Sequence, residues 1–493
     1  MKRGRDDFLP FPLIELSHFL GSVAGVALLL LARGLQQRLD AAYHLTVILL
    51  AAGILFSLLK GFDYEEAIIL AIMLGALWPC RPYFSRRASL VGERFSPGWI
   101  AAIAGVLLGS IWPGLFAHKH VEYANELWWQ FAVFGDAPRA LRATIGVVGL
   151  VLLFATVRLL RPVPQEPVLP QLADLERARA VISHAKKTEA HLALLGDKEL
   201  LFSESGNAFI MYGIEGRSWV ALGDPVGPES EIKELAWRFR ELSDRHGGWT
   251  VFYEISKEYL PLYLDLGLSL LKLGEHARVP LMTFSLEGKS RKPLRNVCNR
   301  LEKEGCTLVV IPTTEVAGLV PELKVISDAW LAKRNTREKG FSLGFFDPVY
   351  LQRGPVAIVR KEERVVAFAN LWMSADKEEL SPDLMRFLPD APDSVMEYLF
   401  LQLMLWGKQE GYRWFNLGMA PLSGLEDRAL APLWNRLGAF MFRHGEHFYN
   451  FQGPRQYKEK FDPVWEPKYL ASPGGLALPR ILTNIASLIS GGL

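Results

Sequence analysis

The loop Leu388-Pro389-Asp390-Ala391-Pro392-Asp393-Ser394 runs directly into an apolar, helix-like stretch and carries two carboxylates, two prolines and no glycine. A loop in this position can grip a pyrophosphate when its backbone N–H groups and the helix N-terminus point at the anion. Proline has no N–H to offer, and Asp390 and Asp393 would set like charge against a phosphate. The same acids suit a cation such as an α-ammonium, while Asp393 and Ser394 equally suit helix capping. A second loop, Gly223-Asp224-Pro225-Val226-Gly227-Pro228, also precedes a helix. It lacks both the Lys-Ser/Thr of a phosphate loop and the G-x-G-x-x-G spacing, which favours a tight structural turn. Lys292, Arg295, Asn299 and Lys303 recur at helical spacing. That basic face suits RNA phosphates or anionic lipid, or is simply solvated. His444, Glu446 and His447 match no ligand spacing, and Cys80, Cys298 and Cys306 form no Cys-x-x-Cys pair, so no metal and no disulfide framework are expected.

These residues must be held by regular elements. In the later half, strand-like runs at 356–358 and 365–374 and a third ending at 383–387 precede a helix over 394–411 and a strand over 413–418. Strand, strand, long helix, strand is the order of a GNAT-type acyltransferase. In the earlier half a helix over 172–187, strands at 199–203, 208–214 and 218–222, a helix over 230–246 with Ser230 as N-cap, and a strand over 250–255 repeat that order. A degenerate internal duplication follows. The expected fold class is a multi-pass α-helical membrane region followed by α+β tandem GNAT-like domains. Its boundaries are membrane 1–162, a Pro-rich linker 163–171, a first domain 172–313, a connecting helix 314–335, a second domain 336–475 and an amphipathic helix 476–493, lying on the bilayer or packing on the enzyme.

The membrane expectation comes from where the apolar residues sit. The chain is 50% hydrophobic with a mean hydropathy of +0.13, high for 22% charged residues, and the excess lies in its first third. Apolar runs at 12–31, 44–59, 66–80, 97–117 and 143–160 are candidate spans, the third and fifth short of the ~20 residues a crossing needs. Pro10 and Pro12 interrupt any cleavable leader. Arg33 and Arg38, then Arg81, Arg86, Arg87 and Arg94, then Arg158 and Arg161 follow alternate spans and put the soluble part on the cytoplasmic side; Lys2, Arg3 and Arg5 oppose this. Trp112, Trp128 and Trp129 read as interfacial anchors, 121–134 as a helix lying flat, and His18 and His44 as wetted groups near span ends.

The segments Phe341-Ser342-Leu343-Gly344, Asp383-Leu384-Met385-Arg386, Phe415-Asn416-Leu417-Gly418-Met419-Ala420-Pro421-Leu422 and Tyr457-Lys458-Glu459-Lys460-Phe461, with the ending Pro463-Val464-Trp465-Glu466-Pro467-Lys468-Tyr469-Leu470, resemble the multiple peptide resistance factor family. The loop Ser85-Arg86-Arg87-Ala88-Ser89-Leu90 agrees with it. These are bacterial lysyl- or alanyl-phosphatidylglycerol synthases, often with a longer membrane region that flips the product lipid. The resemblance implies transfer of an aminoacyl group from aminoacyl-tRNA to phosphatidylglycerol at the inner membrane, giving a cationic lipid and resistance to cationic peptides. It places the site on Tyr350, Asp383, Arg386 and Lys458. Asp383 would bind the ammonium or act as base, Arg386 and Lys458 would clamp a phosphate, and Tyr350 would hydrogen-bond the ester. Glu397, Asn416, Arg455, Asp393 and Lys460 are further substrate-binding candidates, with Lys292, Arg295 and Lys303 for tRNA or lipid phosphate. Strict strand alternation puts Asp383 and Arg386 on opposite faces, so a shared pocket requires a bulge or a strand end. Spare acids lean the amino acid toward lysine, with alanine close. No cofactor is expected. Partners are aminoacyl-tRNA, phosphatidylglycerol, the membrane and a second copy of the chain as a candidate homo-oligomer. A peptidoglycan-type ligase and a non-catalytic membrane-tethered RNA- or lipid-binding protein are the competing readings.

Overall fold

The computed structural model describes residues 64–84, 168–426 and 452–491, most of 31–59 and a few isolated positions. Residues 1–165 and 166–493 form separate compact units, apart from 245–247, which group with the first. In the first unit, helices α1 (Asp40–Leu59) and α2 (Tyr64–Leu77) pack together. Among the described residues no helix is long and apolar enough to cross a membrane. What they present is an outward apolar surface of Leu45, Ile48, Leu55, Ile68, Ile69, Ile72, Met73 and Trp78. The Tyr43 ring meets that of His44 edge-on, and the Tyr43 hydroxyl donates to the Trp78 carbonyl. The spans expected at 97–117 and 143–160, most of 12–31, the 121–134 helix, the tryptophan anchors, His18, the 85–90 loop, the linker through 167 and the histidines at 444 and 447 lie outside the described residues.

The second unit is built on one eleven-stranded sheet in the order β1-β2-β3-β4-β11-β5-β10-β9-β8-β7-β6. Its strands are β1 (Glu199–Phe202), β2 (Phe209–Glu215), β3 (Ser218–Leu222), β4 (Trp249–Ser256), β5 (Ser269–Pro280), β6 (Cys306–Ile311), β7 (Val356–Lys361), β8 (Arg364–Met373), β9 (Glu379–Phe387), β10 (Trp414–Pro421) and β11 (Val464–Ser472). The helices are α3 (Leu172–Ile182), α4 (Glu229–Arg245), α5 (Leu260–Asp265), α6 (Lys292–Lys303), α7 (Val316–Arg334), the single turn α8 (Pro348–Leu351), α9 (Val395–Gln409), α10 (Gln452–Glu459) and α11 (Leu478–Ser490).

Both sheet faces are covered, so the central strands read as apolar runs rather than alternating ones. Along β7, Ala357 and Val359 enter the core under α6 and α9, while Val356 and Ile358 enter the one under α7. Along β2, Phe209 and Met211 face α3 and α11, whereas Ile210 and Tyr212 face α4. The pairs β3/β4 and β9/β10 are parallel, each joined by a crossover helix, α4 and α9. Each half of the sheet thus runs from antiparallel strands into one parallel pair. The strand after each parallel pair is exchanged: β5 lies beside β10 and β11, and β11 lies between β4 and β5.

Several expectations are corrected. Ser230 lies within α4; the Pro228 carbonyl takes the Glu231 N–H, so the helix starts before the serine. Ser394 occupies the cap of α9 with a left-handed φ of 68° and no side-chain cap bond, and the Pro392 carbonyl takes the Val395 N–H instead. Of the two placements expected for the tail, packing on the protein is the one found, with α11 buried through Ile481 and Ile485. The 172–187 helix stops at Ile182.

Candidate active site

The parallel pair β9/β10 is joined at only two positions, Trp414 opposite Glu379 and Phe415 opposite Leu380. Beyond them β9 stays on β8, while β10 follows β5 through a register shift at Asn416–Met419 that uses Gly418 at φ 77°. The strands therefore part toward their carboxyl ends, the side on which open α/β sheets hold ligands. The pair β3/β4, by contrast, is closed along all of Ser218–Leu222.

At the root of the splay sits buried Glu379. Its Oε1 accepts from the Thr188 amide (3.2 Å) and hydroxyl (2.6 Å) and from Asn416 Nδ2 (3.3 Å), and its Oε2 meets Arg278 Nε at 2.8 Å. Arg278 also pairs with Glu466 at 2.9 Å and lies over the Trp414 ring. Asn416 Oδ1 takes the Gly418 N–H at 2.8 Å, so this candidate supports the turn in β10.

One lip carries Asp383. The β8/β9 ladder shifts register between Ala369 and Leu371, and Asn370 Oδ1 takes the Leu384 N–H at 2.7 Å. This is the bulge that a shared Asp383–Arg386 pocket requires. Leu384 then joins the core under α7 while Met385 packs against the opposite one. Asp383 Oδ1 accepts from the Gly344 N–H (3.0 Å) and Oδ2 from the Tyr350 hydroxyl (2.9 Å), which itself accepts from Trp372 Nε1 at 2.8 Å. Burial pushes the Asp383 pKa up, opposed by those bonds and by the Lys198 charge. Burial beside Asp383 raises that of Tyr350 as well, so the phenol stays protonated and donating. A Cβ on Gly344 would overlap the Asp383 carboxylate and force it to shift. Arg386 Nη2 lies 2.8 Å from Glu338 Oε2, and its guanidinium stacks over Trp330 at 4.1 Å. Its buried Nε has no partner, and burial lowers its pKa against the pull of Glu338 and Asp383.

The other lip carries Lys458, whose Nζ donates to the Gly418 (3.0 Å) and Met419 (2.8 Å) carbonyls. Burial brings its pKa down to about 8, opposed by Glu254. Arg455 pairs with Glu275 at 2.5 Å and Glu459 at 3.0 Å over the Trp465 ring. The remaining candidates are engaged elsewhere. Lys460 and Glu397 pair at 3.2 Å, Asp390 pairs with Arg364 at 2.8 Å, and the Asp393 carbonyl accepts from Arg300. On α6, Lys292 and Lys303 are exposed. Arg295 is no free basic contact: it donates to the Leu286 and Gly288 carbonyls.

Sequence reasoning missed three groups here. Lys198, fully buried, pairs with Asp197. His191 stacks on Trp372 with ring centroids 6.3 Å apart, its Nδ1 bonded to the Thr188 carbonyl, and burial lowers its pKa to about 4. Glu189 pairs with buried Lys468 at 2.9 Å and with His276 at 3.1 Å. Only their burial marks them, and burial is a tertiary property.

The 223–228 turn is structural in its contacts. Gly223 N–H bonds the Tyr253 carbonyl, the Asp224 carboxylate takes the Ser256 N–H and the Tyr263 hydroxyl, and Gly227, at φ 144°, lies too close to Ala208 for a Cβ. The cleft of about 890 Å³ beside it is lined by both signs of charge, Arg177 and Lys187 against Glu189 and Asp224, and is not an anion cradle.

Residues 177–472 match the family profile described as phosphatidylglycerol lysyltransferase, C-terminal. The chain belongs to the phosphatidylglycerol lysyltransferase family. It is 34% identical over 490 residues to the Bacillus subtilis phosphatidylglycerol lysyltransferase, covering 98% of this chain and 56% of that protein. It is 36% identical over 301 residues to a Staphylococcus aureus phosphatidylglycerol lysyltransferase, covering 61% of this chain and 36% of the relative. The chain thus spans about half the length, or less, of these curated relatives. Among solved structures, L-PGS from Bacillus licheniformis is 38% identical with a TM-score of 0.57, covering 66% of this chain and 99% of that one. The C-terminal domain of an Agrobacterium fabrum protein named for lysylphosphatidylglycerol synthetase is 45% identical with a TM-score of 0.60, covering 65% and 98%. The fold of this chain's second unit is therefore the one that these two solved structures share.

Proposed function

We propose that this chain transfers an aminoacyl group, lysyl in preference to alanyl, from aminoacyl-tRNA to a glycerol hydroxyl of phosphatidylglycerol. The observation that carries the reading is Asp383: a half-buried carboxylate fixed by Tyr350 and Gly344 beside a strand splay whose adjoining loop offers prolines in place of a phosphate-binding cradle. The aminoacyl ester is already activated. The glycerol oxygen attacks its carbonyl, a new ester bond forms, the bond to the tRNA ribose oxygen breaks, and the proton lost by the glycerol passes to that leaving oxygen. The protein has to align the two, relay the proton and hold the oxyanion.

Asp383 receives the ammonium of the aminoacyl group or the hydroxyl proton, with Tyr350 and Trp372 fixing its orientation. Arg386, through its unpartnered Nε, takes a phosphate oxygen. Lys458 stands on the opposite lip as a second cation. The repeated strand–helix–strand order supports a tandem reading in which 172–313 and 336–475 are two halves joined by 314–335. The outward apolar residues of α1 and α2 support a membrane region over 1–162 in a bacterial cytoplasmic membrane. Arg33, Arg38, Arg81, Arg86, Arg87, Arg94, Arg158 and Arg161 favour a cytoplasmic side for the second unit.

The test is the full chain in phosphatidylglycerol vesicles with lysyl-tRNA or alanyl-tRNA. A ninhydrin-positive lipid that disappears with RNase and with Asp383→Ala supports the reading. Label entering a cell-wall precursor instead, or lipid product undiminished by Asp383→Ala, sinks it.

A further inference from the structure

Asp383 is half-buried, yet the hydrogen bonds it accepts come from an amide, a phenol and the side chain of Asn370, none of them a cation. Two cations act on it through space. Arg386, on its own strand, is already committed to Glu338. The other, Lys198, comes from the turn before β1, in the opposite half of the chain. Its side chain is sealed from solvent and bonded to Asp197 Oδ1, and Asp197 Oδ2 takes the Phe341 N–H at 3.0 Å. The segment that closes over Asp383 is therefore clipped at two acids, Phe341 to Asp197 and Gly344 to Asp383, with the lysine acting on both.

We propose that Lys198 is a positioning residue of the acyl-transfer site. From the first half of the chain it pins, with Asp197, the 340–350 segment that holds Asp383, and so sets its ammonium in the same hydrogen-bonded network as that carboxylate. A buried ammonium with one carboxylate partner is costly to maintain for stability alone, and its second beneficiary is Asp383. The other groups facing that carboxylate are the Gly344 amide and Tyr350 from the closing segment, Asn370 and Trp372 from β8, His191 behind Trp372, and Arg386 with Glu338. Of these the neutral ones cannot replace the charge, and Arg386 is shared. The inference rests on the reading that Asp383 serves aminoacyl transfer.

The experiment is the pH profile of kcat/KM for lysyl transfer by the full chain, comparing wild type with Lys198→Met and Lys198→Arg. Removing the cation raises the Asp383 pKa, so in Lys198→Met the acidic limb moves up by about one pH unit, with the loss larger at pH 6 than at pH 8, while Lys198→Arg keeps the wild-type limb. A uniform loss at every pH, the limb unmoved, overturns the proposal. Where Lys198→Met folds poorly, the melting temperature of Lys198→Met/Asp383→Asn decides. Recovery relative to the single variant shows that the lysine was offsetting that carboxylate, and no recovery overturns the claim. Asp383→Asn alone separates the two readings: undiminished transfer by it removes the catalytic reading, and the melting comparison still tests the coupling.

Discussion

Arg278 Nε and Glu379 Oε2 meet at 2.8 Å across the exchange of strands, one from β5 and the other from the foot of β9. The same carboxylate holds Thr188, so it ties the 188–195 segment to the point where β9 and β10 begin to part. Glu379→Ala leaves Arg278 with only Glu466 and strips Thr188 and Asn416 of their acceptor. The expected cost is about 3 kcal/mol, the usual penalty for breaking a buried pair from one side. It reads as a lowered denaturant midpoint, together with loss of transfer.

Gly344→Ala separates geometry from folding. The added methyl meets the Asp383 carboxylate and pushes it from Tyr350, while the 340–350 segment keeps its anchor at Asp197. Transfer falls by about 100-fold, the scale of a 1 Å misplacement in an active site. The melting temperature changes far less than the rate.

Lys458 makes stability depend on alkaline pH. Its native pKa lies near 8, below its ordinary 10.5, so between those values the unfolded chain binds more protons and stability rises with pH. The full penalty is present below pH 8, on the order of 3 kcal/mol from the shift. Lys458→Met therefore raises the melting temperature at pH 7, flattens its rise between pH 8 and 10, and lowers transfer.

Glu189 has the opposite sign. Burial alone would raise its pKa, but Lys468, His276 and Lys187 hold it down at about 2 against an ordinary 4.5. Its stabilisation is complete above pH 4.5 and is lost as pH falls toward 2. Acid titration followed by tryptophan fluorescence shows that loss in the wild type. Lys468→Met, which strands the carboxylate, unfolds at distinctly higher pH.

Much of the second unit was legible because its strands are locally apolar. The 218–222 run coincides with β3, and the 365–374 run with β8 to within a residue. Alternation, with Asp383 and Arg386 paired by the family resemblance, asked for a bulge or a strand end there, and the bulge is what β9 carries. β5 was not legible: Lys272, Glu275, His276 and Arg278 break its pattern, and their partners lie far away at Gly424, Arg455, Glu189 and Glu379. β11 hides behind Pro467, Glu466 and Lys468 for the same reason. Lys198 reads in sequence as a surface lysine, yet its side chain is sealed from solvent beside Asp197.

The placing of β11 between β4 and β5 has a consequence for biosynthesis. When β4 and β5 leave the ribosome, the strand that belongs in the gap does not yet exist, and it will not until translation passes residue 472. The nascent chain must carry two unzipped strand edges through that interval, which exposes it to mispairing and makes it a customer for chaperones. Separately expressed halves would each inherit the same open seam.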